Sequence, residues 1–196
     1  MPPNEISNTW RVFVAIELPA VVRRELIEHI DRLRNGVPDA RASWSREENL
    51  HLTLKFLGDI PASNVERLSA AASIATSRVE SLEIVVEGCG AFPHRGKPRV
   101  LWIGIEDPSG QLTKLQRALE DECSKERFPR EQRPFHPHLT IARVRTPHNS
   151  HNLAAMHEEI GFEAESFRAS ELAVIRSELR SQGSRHTIIS RHAFSL

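Results

Sequence analysis

The sequence predicts one domain of mixed helices and strands that is built from two similar halves. Hydrophobic runs typical of strands alternate along the chain with apolar residues at helical spacing. A His-x-Thr triplet followed by an apolar residue occurs twice, at His51–Thr53 and at His138–Thr140. Each triplet begins a similar distance beyond a preceding strand, 33 residues after Leu18 and 32 after Glu106. This recurrence indicates an internal duplication, with chance similarity of two common strand–helix units as the alternative.

The first half, residues 10–88, begins with a continuous apolar run, Trp10–Leu18, which is typical of a buried strand. Pro19 then opens a predicted helix that continues to about Leu33 and is followed by Gly36. The helix prediction rests on the spacing of Val22, Leu26, Ile30 and Leu33. The next predicted elements are a strand at Leu50–Leu57 closed by Gly58-Asp59, a helix at Ser63–Val79 with Ser63 or Asn64 as its N-cap, and a strand at Leu82–Glu87.

The second half, residues 99–196, repeats this order of elements. Its predicted elements are a strand at Val100–Glu106, a helix at Ser109–Lys125, the second motif strand at Pro137–Val144, a helix at Asn149–Ile160, a strand at Glu171–Leu179 and a last strand at His186–Phe194. We therefore expect a single two-lobed domain over residues 1–196, with the option that the chain crosses between the lobes.

The charge balance restricts the kinds of partner that the protein can bind. Basic and acidic residues are equal in number, 26 of each, which argues against a large nonspecific nucleic-acid surface. A local basic patch is still compatible with this balance. The segment 127–145 carries five arginines against one glutamate, and such a run is either a solvated face or an RNA contact. The arginines are Arg127, Arg130, Arg133, Arg143 and Arg145.

The remaining composition is typical of a soluble cytoplasmic protein, which we expect to be a monomer. Cys89 and Cys123 fit no metal-ligand or redox spacing, so free thiols are favoured over a disulfide between them. The N-terminal sequence MPPNEISNTW lacks the basic and apolar segments of a secretory signal. No apolar run approaches the roughly 20 residues of a membrane span.

The two triplets place the same pair of side chains on one face of each motif strand. Residues i and i+2 of a strand share a face, so His51 lies beside Thr53 and His138 beside Thr140. Related halves would bring the two imidazoles together across a cleft. Cleaving a phosphodiester needs one group that accepts a proton and one that donates a proton, and histidine does either near neutral pH. The threonine hydroxyls can donate to phosphate oxygens where charge gathers in the transition state.

Four stretches and the tail of the chain resemble the RNA 2′,3′-cyclic phosphodiesterases, also called bacterial 2′-5′ RNA ligases, of the two-histidine phosphoesterase superfamily. The stretches are RVFVAIELP, NLHLTLKFLGD, PRVLWIGI and RPFHPHLTIAR, and the tail is GSRHTIIS. They are spread over most of the chain. One departure is His186, which stands where many members have tyrosine.

The resemblance implies an α+β fold of two pseudo-symmetric lobes, each an antiparallel sheet with outer helices, facing each other across a central cleft. It also implies hydrolysis of RNA 2′,3′-cyclic phosphate ends to 2′-phosphates, with reversible 2′-5′ joining of RNA ends as a further activity. We expect His138 to activate water and His51 to protonate the leaving 3′ oxygen. Thr53 and Thr140 would hold the phosphate, and the scheme needs no metal or other cofactor.

Three further residues near the motifs are candidates for contacts with the substrate or with a metal. Arg143 is a candidate phosphate contact and Phe56 a candidate base-stacking residue. Strict alternation puts both on the face opposite the histidines, so a bulge or twist is needed, and a surface ion pair or core packing is the alternative. His136 and His138 also form a His-Pro-His pair, for which a metal site is the weaker interpretation.

The sequence is also compatible with two other functions. One is a catalytically silent RNA-binding module, which the presence of both histidines and both threonines disfavours. The other is a cyclic phosphodiesterase for small nucleotides such as ADP-ribose 1″,2″-cyclic phosphate. The arginines that precede His138 favour an oligonucleotide substrate over a small nucleotide.

Overall fold

The computed structural model describes residues 8–181 and 183–195 of the chain. Most of the N-terminal segment in which no secretory signal is predicted lies outside these residues. Within the described ranges, no helix is long and apolar enough to cross a membrane.

The elements alternate along the chain in nearly the predicted order. The strands are β1 (Thr9–Glu17), β2 (Ala42–Trp44), β3 (His51–Pro61), β4 (Leu82–Phe92), β5 (Val100–Glu106), β6 (His138–Val144), β7 (Glu165–Ala169), β8 (Glu171–Arg180) and β9 (Gly183–Ala193). The α-helices are α1 (Ala20–Gly36), α2 (Val65–Thr76), α3 (Gln111–Lys125) and α4 (Ser150–Ile160). Short 3-10 turns at Glu47–Asn49 and Ala62–Asn64 precede β3 and α2.

The strands form two antiparallel sheets, which confirms the predicted α+β class. The first sheet has the order β3-β1-β8-β9 and the second the order β2-β6-β5-β4-β7. Without β2, the second order becomes β6-β5-β4-β7, which matches the first position by position. The two motif strands, β3 and β6, occupy equivalent places in this match.

The matched sheets do not follow the halves of the chain. Strand β4 comes from the first half but pairs with β5, while β8 and β9 from the second half pair with β1 and with each other. The chain therefore crosses between the sheets. The assignment of residues 10–88 and 99–196 to two related halves stays a prediction.

Strand β1 is an inner strand of the first sheet, and both of its faces are buried. Val12, Val14 and Ile16 belong to the main core, whereas Phe13 and Ala15 pack with residues of β8 in a separate small cluster. Two buried faces explain why this strand is a continuous apolar run instead of an alternating one. The second face is continuous with the part of β3 that carries the first motif, because β1 pairs with β3.

The core face of α1 agrees with its predicted spacing. The side chains of Val22, Leu26, Ile30 and Leu33 are all at most 1% exposed. The helix runs three residues further than predicted, to Gly36. A Cβ at Gly36 would lie 2.1 Å from the terminal methyl of Met156 in α4, so the end of α1 packs directly against this side chain.

Strands β3 and β4 both extend further than predicted, and each passes through a glycine. The sequence predicts that β3 closes at Gly58-Asp59 and that β4 ends at Glu87, one residue before Gly88. Strand β3 passes Gly58 and ends at Pro61, and β4 passes Gly88 and ends at Phe92. Both glycines have positive φ, 70° and 79°, next to irregularities in strand pairing. A glycine at a β-bulge keeps the strand in the sheet, so the prediction that Gly58 closes β3 is wrong.

Other boundaries differ for local reasons. Helix α2 begins at Val65 after a 3-10 turn and ends at Thr76, inside its predicted range, and the side chain of its N-cap Asn64 makes no capping hydrogen bond. The short strands β2 and β7 were not predicted, because three and five residues give little periodic signal. Cys89 and Cys123 are free thiols, as favoured from the sequence.

Candidate active site

The first motif begins β3 and places its two polar side chains on the same half-buried face. His51 and Thr53 are partly exposed, and Leu52 and Leu54 are buried in the core. Across the strand pair, Thr53 lies opposite Ala15 of β1. His51 and Thr53 therefore adjoin the face of β1 that carries Phe13 and Ala15.

The second motif begins β6 and repeats this local arrangement. His138 and Thr140 are partly exposed, and Leu139 and Ile141 are completely buried. His138 pairs with Gly104 of β5, where a Cβ would lie 2.4 Å from the backbone oxygen of Glu87. The glycine permits this close backbone contact immediately beside the second histidine.

Each motif strand contains a bulge directly after its threonine. In β3, Thr53 and Lys55 pair with the adjacent residues Ala15 and Val14, so Leu54 is the additional residue. An extra residue shifts the alternation of the following side chains by one. Phe56 therefore returns to the face of His51 and Thr53, and its side chain is 53% exposed.

The bulge in β6 has the same position and the same effect. Thr140 and Ala142 pair with the adjacent residues Trp102 and Leu101, which leaves Ile141 as the additional residue. Ala142 is buried and Arg143 is exposed, so Arg143 shares the face of the second histidine and threonine. Arg143 and Phe56 are thus equivalent positions in the two motif strands. Strict alternation, which placed both on the opposite face, is wrong for both residues.

The ring of His51 is packed by two other rings. It stacks on Phe13 with centroids 4.5 Å apart and an interplanar angle of 23°. His186 of β9 contacts the same ring edge-on at 5.2 Å and also touches Phe13. The side-chain amide of Asn49 donates to the backbone oxygen of Ser184, which ties β9 to the turn that precedes His51.

This packing changes the proton affinity of His51. Burial, and then the neighbouring His186, lower the pKa of His51 to about 4, against a small opposing effect of a backbone hydrogen bond at Asn49. Burial also lowers the pKa of His186, and Glu48 opposes that shift. In the free protein at neutral pH, His51 is therefore a neutral imidazole.

His138 is oriented by a backbone group instead of by ring stacking. Its Nδ1 lies 2.7 Å from the backbone oxygen of His136. A carbonyl oxygen only accepts, so Nδ1 carries the proton and the Nε2 of the neutral ring has a free lone pair. Phe92 of β4 contacts the ring edge-on with centroids 5.4 Å apart. The second histidine is thus held in the tautomer that a general base needs.

The two motif strands approach each other across the sheets, with Cα atoms of β3 and β6 within 8 Å. A cavity of about 350 Å³ lies beside His138. Its walls include aromatic and histidine side chains and two glycines. They are Phe92, Trp102, His94, His136, Gly88 and Gly104. The cavity is large enough for a small planar group next to the second motif.

The metal interpretation of His136 and His138 gains no support from this geometry. Nδ1 of His138 is occupied by the backbone oxygen of His136. Among the residues that the structure describes, neither histidine belongs to a group of three converging ligand-type side chains. The pair is better explained as a histidine and the carbonyl that orients it.

Lys55 is a positioning residue that the sequence analysis missed. Its side chain is 2% exposed, and its ammonium contacts Glu120 Oε2 at 2.7 Å and the backbone oxygen of Pro129 at 2.8 Å. The same carboxylate accepts from the backbone N–H of Glu131. A buried ion pair with these added hydrogen bonds fixes the segment that leads to the second motif onto β3. The only sequence signal is a lysine inside an apolar strand.

The arginines of segment 127–145 are partly neutralised by neighbours. Arg130 pairs with Asp121, Arg133 pairs with Glu131, and Arg145 donates to the hydroxyl of Ser43. Arg143 has no side-chain hydrogen bond or ion pair within residues 8–181 and 183–195. The free guanidinium of this segment that also faces the motif is therefore Arg143.

A scan against family models matches residues 22–180 to the 2′-5′ RNA ligase superfamily. The chain belongs to this family, which confirms the resemblance drawn from its motifs. A curated relative in Methanothermobacter thermautotrophicus, named RNA 2′,3′-cyclic phosphodiesterase, is 36% identical over 180 residues, covering 90% of this chain and 95% of that protein. A relative of the same name in Escherichia coli is 32% identical and covers 70% of this chain and 74% of its own length. These names agree with the enzyme class predicted from the sequence, a hydrolase of phosphodiester bonds.

Solved structures share the fold along nearly the whole chain. The protein TT0787 of Thermus thermophilus superposes with a TM-score of 0.78 at 25% identity, covering 94% of this chain and 97% of that chain. Escherichia coli LigT in complex with 3′-AMP gives a TM-score of 0.72 at 26% identity, covering 96% of this chain and all of that one. The two-sheet architecture is therefore that of the LigT-like structures.

Proposed function

We propose that this protein hydrolyses RNA 2′,3′-cyclic phosphate ends to 2′-phosphates, with His51 and His138 as its acid–base pair. The observation that carries the proposal is the equivalent placement of both His-x-Thr motifs on β3 and β6, strands that approach each other from two matched sheets. The shared name of the curated relatives supports the substrate class.

His138 acts as the base. Its Nδ1–H is held by the backbone oxygen of His136, so Nε2 accepts a proton from water as the water oxygen attacks phosphorus. The bond between phosphorus and the 3′ oxygen breaks, and His51 donates its proton to that oxygen. The products are a 2′-phosphomonoester and a 3′-hydroxyl, and proton transfer between the histidines through solvent restores the starting state.

His51 must be protonated to act as the acid, although burial lowers its pKa to about 4 in the free protein. This shift corresponds to about 3 kcal/mol against the charged form. A phosphate anion 4 Å from the ring favours the charged form by about 4 kcal/mol at an effective dielectric constant near 20. The two effects are of similar size, so the bound substrate itself supplies the condition for protonating His51.

Thr53, Thr140 and Arg143 stabilise the phosphate. The two hydroxyls are partly exposed on the histidine faces, and Arg143 reaches the same face through the bulge at Ile141. Hydrogen bonds from such donors strengthen as charge gathers on the nonbridging oxygens. Phe56, at the equivalent bulge in β3, is exposed and offers a stacking surface to an RNA base.

The scheme requires no metal ion in the chemical step. It also accommodates 2′-5′ joining, because an RNA 5′-hydroxyl can take the place of water at phosphorus. Cleavage of that linkage would exchange the roles of the two histidines. A monomeric, cytoplasmic enzyme is the accompanying proposal.

The test offers the purified protein cyclic-phosphate-ended oligoribonucleotides, mononucleoside 2′,3′-cyclic phosphates and ADP-ribose 1″,2″-cyclic phosphate, each with and without excess EDTA. We expect turnover of the oligoribonucleotides to 2′-phosphates at an unchanged rate in EDTA, with folding monitored by circular dichroism. Tight binding without turnover would instead identify an RNA-binding module. A higher kcat/KM for the ADP-ribose compound would identify a small-nucleotide enzyme, and loss of turnover in folded protein with EDTA would overturn the metal-free step.

A further inference from the structure

A second cluster of reactive side chains lies apart from the two motif triplets. His29 of α1, Cys89 of β4 and His157 of α4 place one nitrogen or sulfur atom each within 4.8 Å of one another. Both histidines are completely buried, and Cys89 is partly exposed. Three separate elements thus converge on one point through side chains that commonly bind transition metals.

We propose that His29, Cys89 and His157 bind one divalent transition metal ion of the zinc type. Two imidazoles and a thiolate favour zinc, cobalt or nickel over magnesium or calcium, which prefer oxygen ligands. Neither motif histidine is among the three residues. The proposal therefore stands independently of the phosphodiesterase function and of the metal-free chemical step.

The orientation of His157 is already that of a metal ligand. Its Nε2 lies 3.0 Å from the backbone oxygen of Trp102, so Nε2 carries the proton and Nδ1 has a lone pair. A hydrogen bond from the distal nitrogen to a carbonyl fixes the ring of a coordinating histidine in many metal sites. The lone pair of His157 Nδ1 faces His29 Nε2, which lies 2.8 Å away.

Without an ion, the two nitrogens that would bind the metal are joined by a hydrogen bond. His29 Nε2 must donate to His157 Nδ1, which leaves the buried Nδ1 of His29 without a partner among the described residues. Metal binding would move the His29 proton from Nε2 to Nδ1, release the thiol proton of Cys89, and move the facing nitrogens apart to about 3.3 Å, the separation that tetrahedral Zn–N bonds require.

A fourth ligand and an entry path are available next to Cys89. A cavity of about 540 Å³ is lined by Cys89, Trp102, Ala154 and Glu158. Glu158 is exposed and follows His157 in α4. A water molecule in this cavity can complete a four-coordinate site. The ion would fasten α1 to α4 and β4, and its binding free energy would add to the stability of the fold.

The experiment uses tag-free protein that has been treated with EDTA, desalted and titrated with Zn²⁺ or Co²⁺. Cys89→Ser removes the thiolate with almost no change in volume, and Cys123→Ser, at the other cysteine, is the matched control. We expect about one zinc per chain by elemental analysis in wild type and Cys123→Ser, with at least tenfold weaker binding in Cys89→Ser. Cobalt-loaded wild type and Cys123→Ser should show a thiolate-to-cobalt absorption band that Cys89→Ser lacks. Zinc should raise Tm in wild type and in Cys123→Ser, and not in Cys89→Ser.

Two results would overturn the site. One is wild-type protein that takes up no zinc at micromolar concentration, which would leave a histidine–histidine hydrogen bond as the whole function of the cluster. The other is an equal metal content and an unchanged cobalt spectrum in Cys89→Ser, which would place the ion on other histidines. A folded wild-type protein is sufficient for the first result, so failure of a variant to fold does not prevent a decision.

Discussion

The two motif strands are alike in backbone and different in what surrounds each histidine. Both carry a bulge after the threonine, at Leu54 in β3 and at Ile141 in β6. His51 is packed between Phe13 and His186, whereas His138 is held by the backbone oxygen of His136. The shared backbone positions two similar side chains, and the ring packing of His51 lowers the pKa of that histidine. The proposed mechanism needs such a difference, because one histidine acts as the acid and the other as the base.

The residues after the bulges also occupy equivalent backbone positions and have different side chains. The equivalent positions hold Phe56 in β3 and Arg143 in β6, one offering an aromatic face and the other a cation. The preceding positions hold Lys55 and Ala142, both buried. This difference is the basis for the proposed contacts of Phe56 with an RNA base and of Arg143 with phosphate.

Substitution of either motif histidine should have the largest effect on activity. His51→Ala and His138→Ala should each lower kcat/KM for a cyclic-phosphate oligoribonucleotide by about 10² to 10⁴-fold, the usual contribution of a general acid or base. Circular dichroism should show folded protein in both cases, because both side chains lie at the start of their strands. His148→Ala, in an exposed loop, is the control. Wild-type rates in either motif variant would end the two-histidine mechanism.

Removing a threonine hydroxyl should lower the rate less than removing a histidine. Thr53→Val and Thr140→Val keep the β-branched shape that suits a strand and remove one hydroxyl donor each. Rates should fall by about 10²-fold, the lower part of the range for an oxyanion-type donor, because water reaches these partly exposed positions. Thr187→Val on β9, exposed on another strand, should leave the rate unchanged. If both motif variants matched wild type in kcat and KM, the hydroxyls would be structural only.

Substitutions at the two positions after the bulges should differ in which substrates they affect. Arg143→Gln should lower kcat/KM by about 10- to 100-fold for every cyclic phosphate, since it removes a charge-assisted hydrogen bond to phosphate. Phe56→Leu should raise KM by up to about tenfold for oligoribonucleotides and have little effect on mononucleotides, because base stacking is lost. Arg130→Gln, which removes a cation already paired with Asp121, is the charge control. Equal effects of both variants on both substrates would contradict the proposed division of roles.

A further effect concerns the dependence of stability on pH. Folded His51 has a pKa of about 4, whereas the unfolded residue binds a proton near pH 6.5. The unfolded state therefore binds more protons between these values, and the free energy of unfolding should fall as pH drops from about 6.5 to about 4. Urea unfolding of wild type and His51→Gln over this range should show a larger loss in wild type, by up to about 3 kcal/mol.

The same titration followed by NMR sharpens the comparison of the two histidines. The His51 resonance should titrate near pH 4 in the free protein and move to higher pH when inorganic phosphate is added. A His51 that titrates near 6.5 without phosphate would show that the packing by Phe13 and His186 does not affect its proton affinity. An unchanged titration with bound phosphate would contradict the proposed protonation of His51 by the substrate.

The sequence by itself determined the repeated His-x-Thr strands, the family and the core face of α1. These features depend on residues that are close in sequence, because strand alternation and helical spacing are set by local backbone geometry. The leucines at 52 and 139 are buried as the alternation requires, and the polar members of each triplet share one face.

Only the tertiary structure decided where Phe56 and Arg143 point and which strands pair. A β-bulge is defined by how two strands pair. Leu54 and Ile141 are therefore the extra residues of a bulge only in the register in which β3 pairs with β1 and β6 pairs with β5. The sequence also does not show that the chain crosses between the sheets at β4 and β8. That crossing depends on pairing between strands that are far apart in sequence. The contacts of His51 with His186, 135 positions later in the chain, have no local signal at all, and they are the contacts that distinguish one histidine from the other.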